Sequence, residues 1–150
     1  HKRIVKDIDY GFAGDVDAIN ETIINVLLQN NVTPVFCAIT HDKNGQLLNT
    51  NADTIASEIA VGMSKLYKTE LNFVFELKGV LENIDDKNSV ITHINSEKHE
   101  QLVAQGIIAD GMIPKIHNCF NALSKGVSKV KIGDASLVNN SNKLYTTLSL

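Results

Sequence analysis

Tryptophan is absent, and aromatic residues make up only 5% of the chain. That removes the stacking platform on which single-stranded nucleic acids are usually held. Excess positive charge is lacking too. The formal net charge is −3 over 150 residues, which argues against a general nucleic-acid surface. No apolar run approaches the roughly 20 residues that span a bilayer, and no secretory leader is visible. The two cysteines, Cys37 and Cys119, stand alone without a CxxC pair and read as buried, reduced thiols of a cytosolic protein. The histidines lack metal-ligand spacing: His93 and His99 are too far apart for one helix face, and His117 is isolated. No phosphate loop of the form GxxxxGK[ST] occurs, and neither do the HRD and DFG motifs of protein kinases. Nucleic acid, a membrane and a protein-bound metal site are therefore not expected.

What is present fits one soluble domain with a real core: 43% of the residues are hydrophobic. Ile4 to Tyr10 reads as an extended segment, with GFAGD (Gly11 to Asp15) as its turn. Asp17 to Asn30 carries Ile19, Ile23, Val26 and Leu27 at helical spacing. TPVFCAI, Thr33 to Ile39, reads as a buried strand. HDKNGQ, His41 to Gln46, is a turn with Asn44-Gly45 as a hairpin signal. A helix follows from about Ala52 to Leu66, its inner stripe made of Ile55, Ala56, Ile59, Ala60, Met63 and Leu66. Glu70 to Phe75 is a second buried strand, and Glu82 to Ser89 a solvated loop. Ser96 caps a helix to Gln105. Another helix begins near Asp110, with Pro114 in its first turn and Ile113, Ile116, Phe120 and Leu123 inward. Val127 to Ile132 and Leu144 to Leu148 complete the strands. Strands alternating with helices predict an α/β fold, a three-layer α/β/α sandwich around a mainly parallel sheet. Ligands of such sheets sit beyond the carboxyl ends of the strands.

Two segments concentrate chemistry at helix starts. NTNADT, Asn49 to Thr54, crowds Asn49, Asn51 and the carboxylate of Asp53 at one helix N-terminus. ADGMIPK, Ala109 to Lys115, places a lysine at another. Backbone N–H groups and the helix dipole hold anions at such ends. One organising carboxylate and one cation at two such sites suggest phosphoryl transfer.

NTNADT, then GVL after a buried strand, then GIIADGMIPK (Gly106 to Lys115), then ALSKGVSKVKI resemble acetylglutamate kinase, of the amino-acid-kinase fold. The resemblance covers nearly the whole chain from GFAGDV onward and falls on the family's C-terminal lobe. The chain starts at His1 rather than a methionine and reads as a piece whose beginning lies elsewhere. The resemblance implies a connector at 1–16 from an N-terminal substrate lobe and a nucleotide-binding lobe at 17–150. It also implies a cytoplasmic enzyme, a homodimer at full length, using ATP and Mg²⁺ to phosphorylate the side-chain carboxylate of an N-acylglutamate. N-acetyl is the default acyl group and N-succinyl the alternative.

By that resemblance Lys115 stabilises charge on the transferred phosphoryl group; taken alone it is a solvated lysine on a surface helix. Asp53 orients the family's catalytic lysines; taken alone it is a favourable first-turn carboxylate. Asn49 holds substrate or caps a turn, and Asn51 either contacts ligand or serves as N-cap. Glu76, Lys78, Gly79, Val80 and Leu81 resemble the nucleotide-contacting segment usually written Asp-Val-x-Gly-Val, with Glu76 and Lys78 departing from it. Ile107, Ile108, Ala109, Gly111 and Met112 form the second nucleotide segment. Ile107 and Ile108 flank adenine or pack in the core, and Gly111 lets backbone approach phosphates. The rival readings are a nucleotide-binding module without chemistry, and a kinase of the same fold with another acceptor.

Overall fold

The computed structural model describes residues 1–109, 111–139 and 144–150. Asp110, expected at a helix start, lies outside the described residues. The chain forms two compact units, His1–Met63 and Ser64–Leu150. Strands and helices are mixed in both, as the α/β expectation requires.

The first unit opens with a hairpin of β1 (Lys2–Val5) and β2 (Ile8–Gly14). Its turn is Lys6-Asp7, not GFAGD. Val5 pairs with Ile8, and both turn residues have positive φ, 48° and 66°. That mirror-image turn matches the twist of two paired strands. The glycines lie inside β2 instead, where register shifts between Lys2 and Ile4. Helix α1 (Glu21–Gln29) starts late because Asn20 caps it, its side chain accepting from Ile23 N. β3 (Ile39–His41) and β4 (Leu47–Thr50) form the second hairpin, around Gly45 at φ 95°. Asp42 braces that loop by accepting from the N–H groups of Asn44 and Gln46. The sheet order is β1-β2-β4-β3, with β2 and β4 parallel and the two hairpins antiparallel. Helix α2 (Ala52–Met63) follows directly.

TPVFCAI is not a buried strand. Residues 33–38 have no regular structure, Val35 is 92% exposed and Phe36 50%. Pro34 has no N–H to give a ladder, and pairing with β4 begins only at Ile39. Cys37 is accordingly exposed, whereas Cys119 is buried as expected. On α2, Ser57, Ala60, Gly62 and Met63 are buried, while Leu66 lies past the helix end and is exposed.

The second unit is built on a sheet of order β5-β7-β8-β6. Its strands are β5 (Glu70–Val74), β6 (His93–Ile94), β7 (Lys129–Gly133) and β8 (Thr146–Leu148). β5 and β7 are parallel, as are β6 and β8, while β7 and β8 are antiparallel. Register puts Leu71, Phe73, Val130, Ile132, Leu148 and Ile94 on one face, all buried. Each such side chain contributes about 1.5–3 kcal/mol of burial. Helix α3 (Ser96–Ala104) packs on β6, and α4 (Met112–Ser124) on β7. Asn95, not Ser96, caps α3 by accepting from Lys98 N. Ile116, Cys119 and Ala122 form the buried stripe of α4, with Ile113 exposed. The short α5 (Ser136–Asn139) closes against β5. The opposite sheet face is polar. There Lys131, buried on β7, donates to Glu70 at 2.6 Å and lies over the Tyr145 ring at 5.1 Å.

That ion pair sets a pH dependence. The hydrogen bond from Lys131 holds the Glu70 carboxyl below its ordinary range, against the opposing effect of desolvation. A lowered folded-state pKa adds stability above the unfolded value, near pH 4.3, and loses it as pH falls through the folded value. Glu70→Gln should therefore show a shallower loss of thermal stability on acidification below about pH 4.5. Unfolding midpoints of both proteins across pH 3–7 check this; parallel curves would refute it.

Candidate functional site

In the first unit the β4–α2 junction carries three of the expected residues. Asn49 is exposed on β4, opposite Ala13 and Ile39. Thr50 is buried, its hydroxyl 2.7 Å from that of Thr40. Asn51 acts as the N-cap of α2: its Oδ1 accepts from Thr54 N, 3.1 Å. Its cap role is thus filled. Asp53 sits half-buried in the first turn, and its carbonyl accepts from the Ser57 hydroxyl. A polar strand end and a helix start are joined here without a loop.

In the second unit the two expected nucleotide segments meet. Gly79, Val80, Leu81, Ile107 and Met112 line one cavity of about 350 Å³. That lies within the usual span of small-ligand pockets, roughly 300–1,000 Å³. Ile108 does not line it; at 1% exposed it belongs to the core. Glu76, Ala109 and Gly111 are exposed outside the lining, and Lys78 reaches away to donate to Asn88 Oδ1 at 3.0 Å.

The cavity also uses Leu77, Glu82, Asn83, Ile84 and Gly106, none of which was among the expected nucleotide contacts. Glu82 to Ile84 open the loop that composition marks only as polar and exposed. Its closure is local and readable only in three dimensions. Leu81 bridges Val90, Glu82 N donates to Ser89 O, and Ser89 Oγ donates to Asn83 O and Asp86 O.

The cavity wall is pinned from behind by Thr146, which is fully buried. Its hydroxyl accepts from Val80 N at 2.8 Å and donates to Ile91 O at 2.7 Å. Gly79 permits the approach. A Cβ there would lie 2.7 Å from both Thr146 Oγ1 and Val90 Cγ1, and 3.0 Å from Thr146 N.

Lys115 is the fourth residue of α4 and half-buried. Its Nζ lies 4.7 Å from the centroid of the Phe75 ring, just past the carboxyl end of β5. A cation and an apolar-walled cavity with polar groups at its rim thus both belong to this unit.

Residues 2–134 match the model of the amino acid kinase family. The chain belongs to that family. It is similar to the acetylglutamate kinase of Phocaeicola vulgatus, 49% identical over 92% of this chain and 54% of that protein. It is equally similar to the acetylglutamate kinase of Cytophaga hutchinsonii, 49% identical over 97% of this chain and 57% of that protein. The chain spans about half the length of the curated relatives it matches. Among solved structures it superposes on smu.665 from Streptococcus mutans, with TM-score 0.75, 32% identity, 93% of this chain and 52% of the other. An N-acetylglutamate synthase from Neisseria gonorrhoeae shares the fold, at TM-score 0.81 and 16% identity, over 98% of this chain and 34% of the other.

In this amino-acid-kinase-family chain a further hollow of about 220 Å³ lies within the first unit, walled mainly by Ile19, Ile23, Phe36, Ile55 and Ile59. Its mainly apolar lining offers little to a phosphate. Among the described residues no cluster of three or more His, Cys, Asp or Glu side chains is placed to hold a metal ion. Among the same residues no helix is long and apolar enough to cross a membrane.

Two substitutions test the cavity wall. Thr146→Val leaves the buried Val80 N–H without an acceptor and should cost about 1–3 kcal/mol, whereas Thr146→Ser should cost about 1. Gly79→Ala should cost a similar 1–3 kcal/mol by overpacking. Gly111→Ala, which meets open space at φ −64°, should stay within about 0.5 kcal/mol. Urea unfolding of the four variants measures these values. Equal costs at Gly79 and Gly111 would contradict the described packing.

Proposed function

We propose that this chain carries the nucleotide-holding and phosphoryl-transfer part of an ATP-dependent kinase. The acceptor is the side-chain carboxylate of an N-acyl-L-glutamate, as in the first steps of arginine biosynthesis. The observation that carries this reading is the meeting of the 79–81 and 107–112 segments on one cavity. The likeness to acetylglutamate kinases supports the acceptor, with N-acetyl as default and N-succinyl as the alternative.

In the proposed reaction a carboxylate oxygen attacks the γ-phosphorus of ATP. The bond from that phosphorus to the β–γ bridging oxygen breaks, and its electron pair leaves with ADP. An acyl phosphate forms. The attacking carboxylate is already ionised, so no general base is needed. Positioning and electrostatics then carry the catalysis. Lys115 offsets negative charge on the transferred group. Asp53 organises the site, and Asn49 helps hold the acceptor substrate. Gly79 to Leu81, with Ile107 and Met112, hold the nucleotide by close backbone approach and apolar contact. Mg²⁺ commonly binds through phosphate oxygens, water and one or two carboxylates, so a protein cage of several ligands is not required. When bound it neutralises phosphate charge. Small-molecule recognition and, at the relatives' full length, dimer formation belong to the same proposal.

Lys115→Ala should weaken Mg·ATP binding to this chain, read by calorimetry. At the length of the curated relatives it should lower kcat by about 10²–10³-fold. Asp53→Asn should lower kcat with little change in nucleotide affinity. Acyl phosphate formed from N-acetyl- and N-succinylglutamate can be trapped with hydroxylamine. Rejection of both substrates by the longer protein would overturn the acceptor assignment. ATP binding without turnover would favour a nucleotide-binding module.

A further inference from the structure

We propose that Phe75 is a positioning residue of Lys115: its ring face helps fix the ammonium beyond the carboxyl end of β5. This rests on the reading of Lys115 as the phosphate-facing cation. The geometry starts from a conflict. Lys115 lies in the first turn of α4, where the helix dipole is positive and a cation is disfavoured. Its Nζ nevertheless points over the Phe75 ring, 4.7 Å from the centroid. An aromatic face is the negative end of a quadrupole and attracts an ammonium at that distance.

Phe75 is itself held on two sides. Its backbone N–H donates to Gly133 O at 2.8 Å. Its ring lies nearly parallel to that of Phe73, with centroids 6.4 Å apart and an interplanar angle of 7°. Phe73 is buried in the sheet core. The ammonium is thereby referenced to β5 and β7, the two parallel strands whose carboxyl ends face a ligand in sheets of this kind. The ring itself adds no negative charge beside a phosphate. It lowers the freedom of a four-carbon side chain before substrate arrives.

The test reads discrimination between ATP and ADP, because the cation is assigned to the transferred group. Calorimetric affinities for Mg·ATP and Mg·ADP are measured on the wild type, Phe75→Leu, Phe75→Tyr and Lys115→Ala. In a fifth protein pentafluorophenylalanine replaces Phe75, which keeps the shape and reverses the ring quadrupole. The preference for ATP should fall about three- to tenfold in Phe75→Leu and in the fluorinated protein, and persist in Phe75→Tyr. Adding Phe75→Leu to Lys115→Ala should change nothing more. The ε-methylene protons of Lys115 should show an upfield ring-current shift that disappears in Phe75→Leu, with or without nucleotide. An unchanged preference in the fluorinated protein would overturn the role of Phe75 and leave the nucleotide reading intact. No binding of either nucleotide by the wild type would overturn both.

Discussion

The candidate nucleotide cavity depends on one buried hydroxyl. Thr146 accepts from Val80 N and donates to Ile91 O, so the two ends of the 80–91 excursion are tied to β8 at a single point. The arrangement works because the hydroxyl is both donor and acceptor and because Gly79 has no Cβ to push it away. Everything the excursion contributes to the lining, from Val80 to Ile84, is placed relative to that tie. Nothing in it demands long-range charge. Satisfied backbone groups and one close approach define the wall.

Two lysines of the second unit show charge held by geometry. Lys131 is buried but paired with Glu70 and covered by Tyr145. A buried lysine without such partners would carry a desolvation penalty. Lys115 stands half-buried over a ring at a helix start. Both lysines therefore have defined directions. A defined direction is useful where chemistry rests on electrostatic preorganisation.

Much of the second unit was legible because its signals are local. The strand at Glu70, the helix with Pro114 in its first turn, and the polar loop from Glu82 all follow from periodicity and turn chemistry. Of the ten expected nucleotide residues, five line the cavity, because the motif segments really converge. The others stand aside for reasons of direction. Ile108 turns into the core, and Lys78 reaches to Asn88. The first unit was read less well. A positive-φ Lys6-Asp7 turn carries no glycine to announce it. TPVFCAI has the composition of a core strand but carries a proline at its second position and finds a ladder only from Ile39. Apolar composition states what a segment favours; pairing decides whether it obtains it.

Residue order alone determined the α/β class, the Asn44-Gly45 hairpin signal, and the two helix starts that carry Asp53 and Lys115, while it left Asn51 open between cap and ligand contact. These depend on neighbours within a turn or two, where backbone sterics and hydrogen bonding act directly. Only the tertiary structure decided that Thr146 supports Val80 from 66 residues away, that Ser89 closes the loop at the cavity rim, and that Phe75 lies beneath Lys115. Those pairs are set by sheet register and helix packing, which bring together groups whose separation along the chain carries no sign that they will meet.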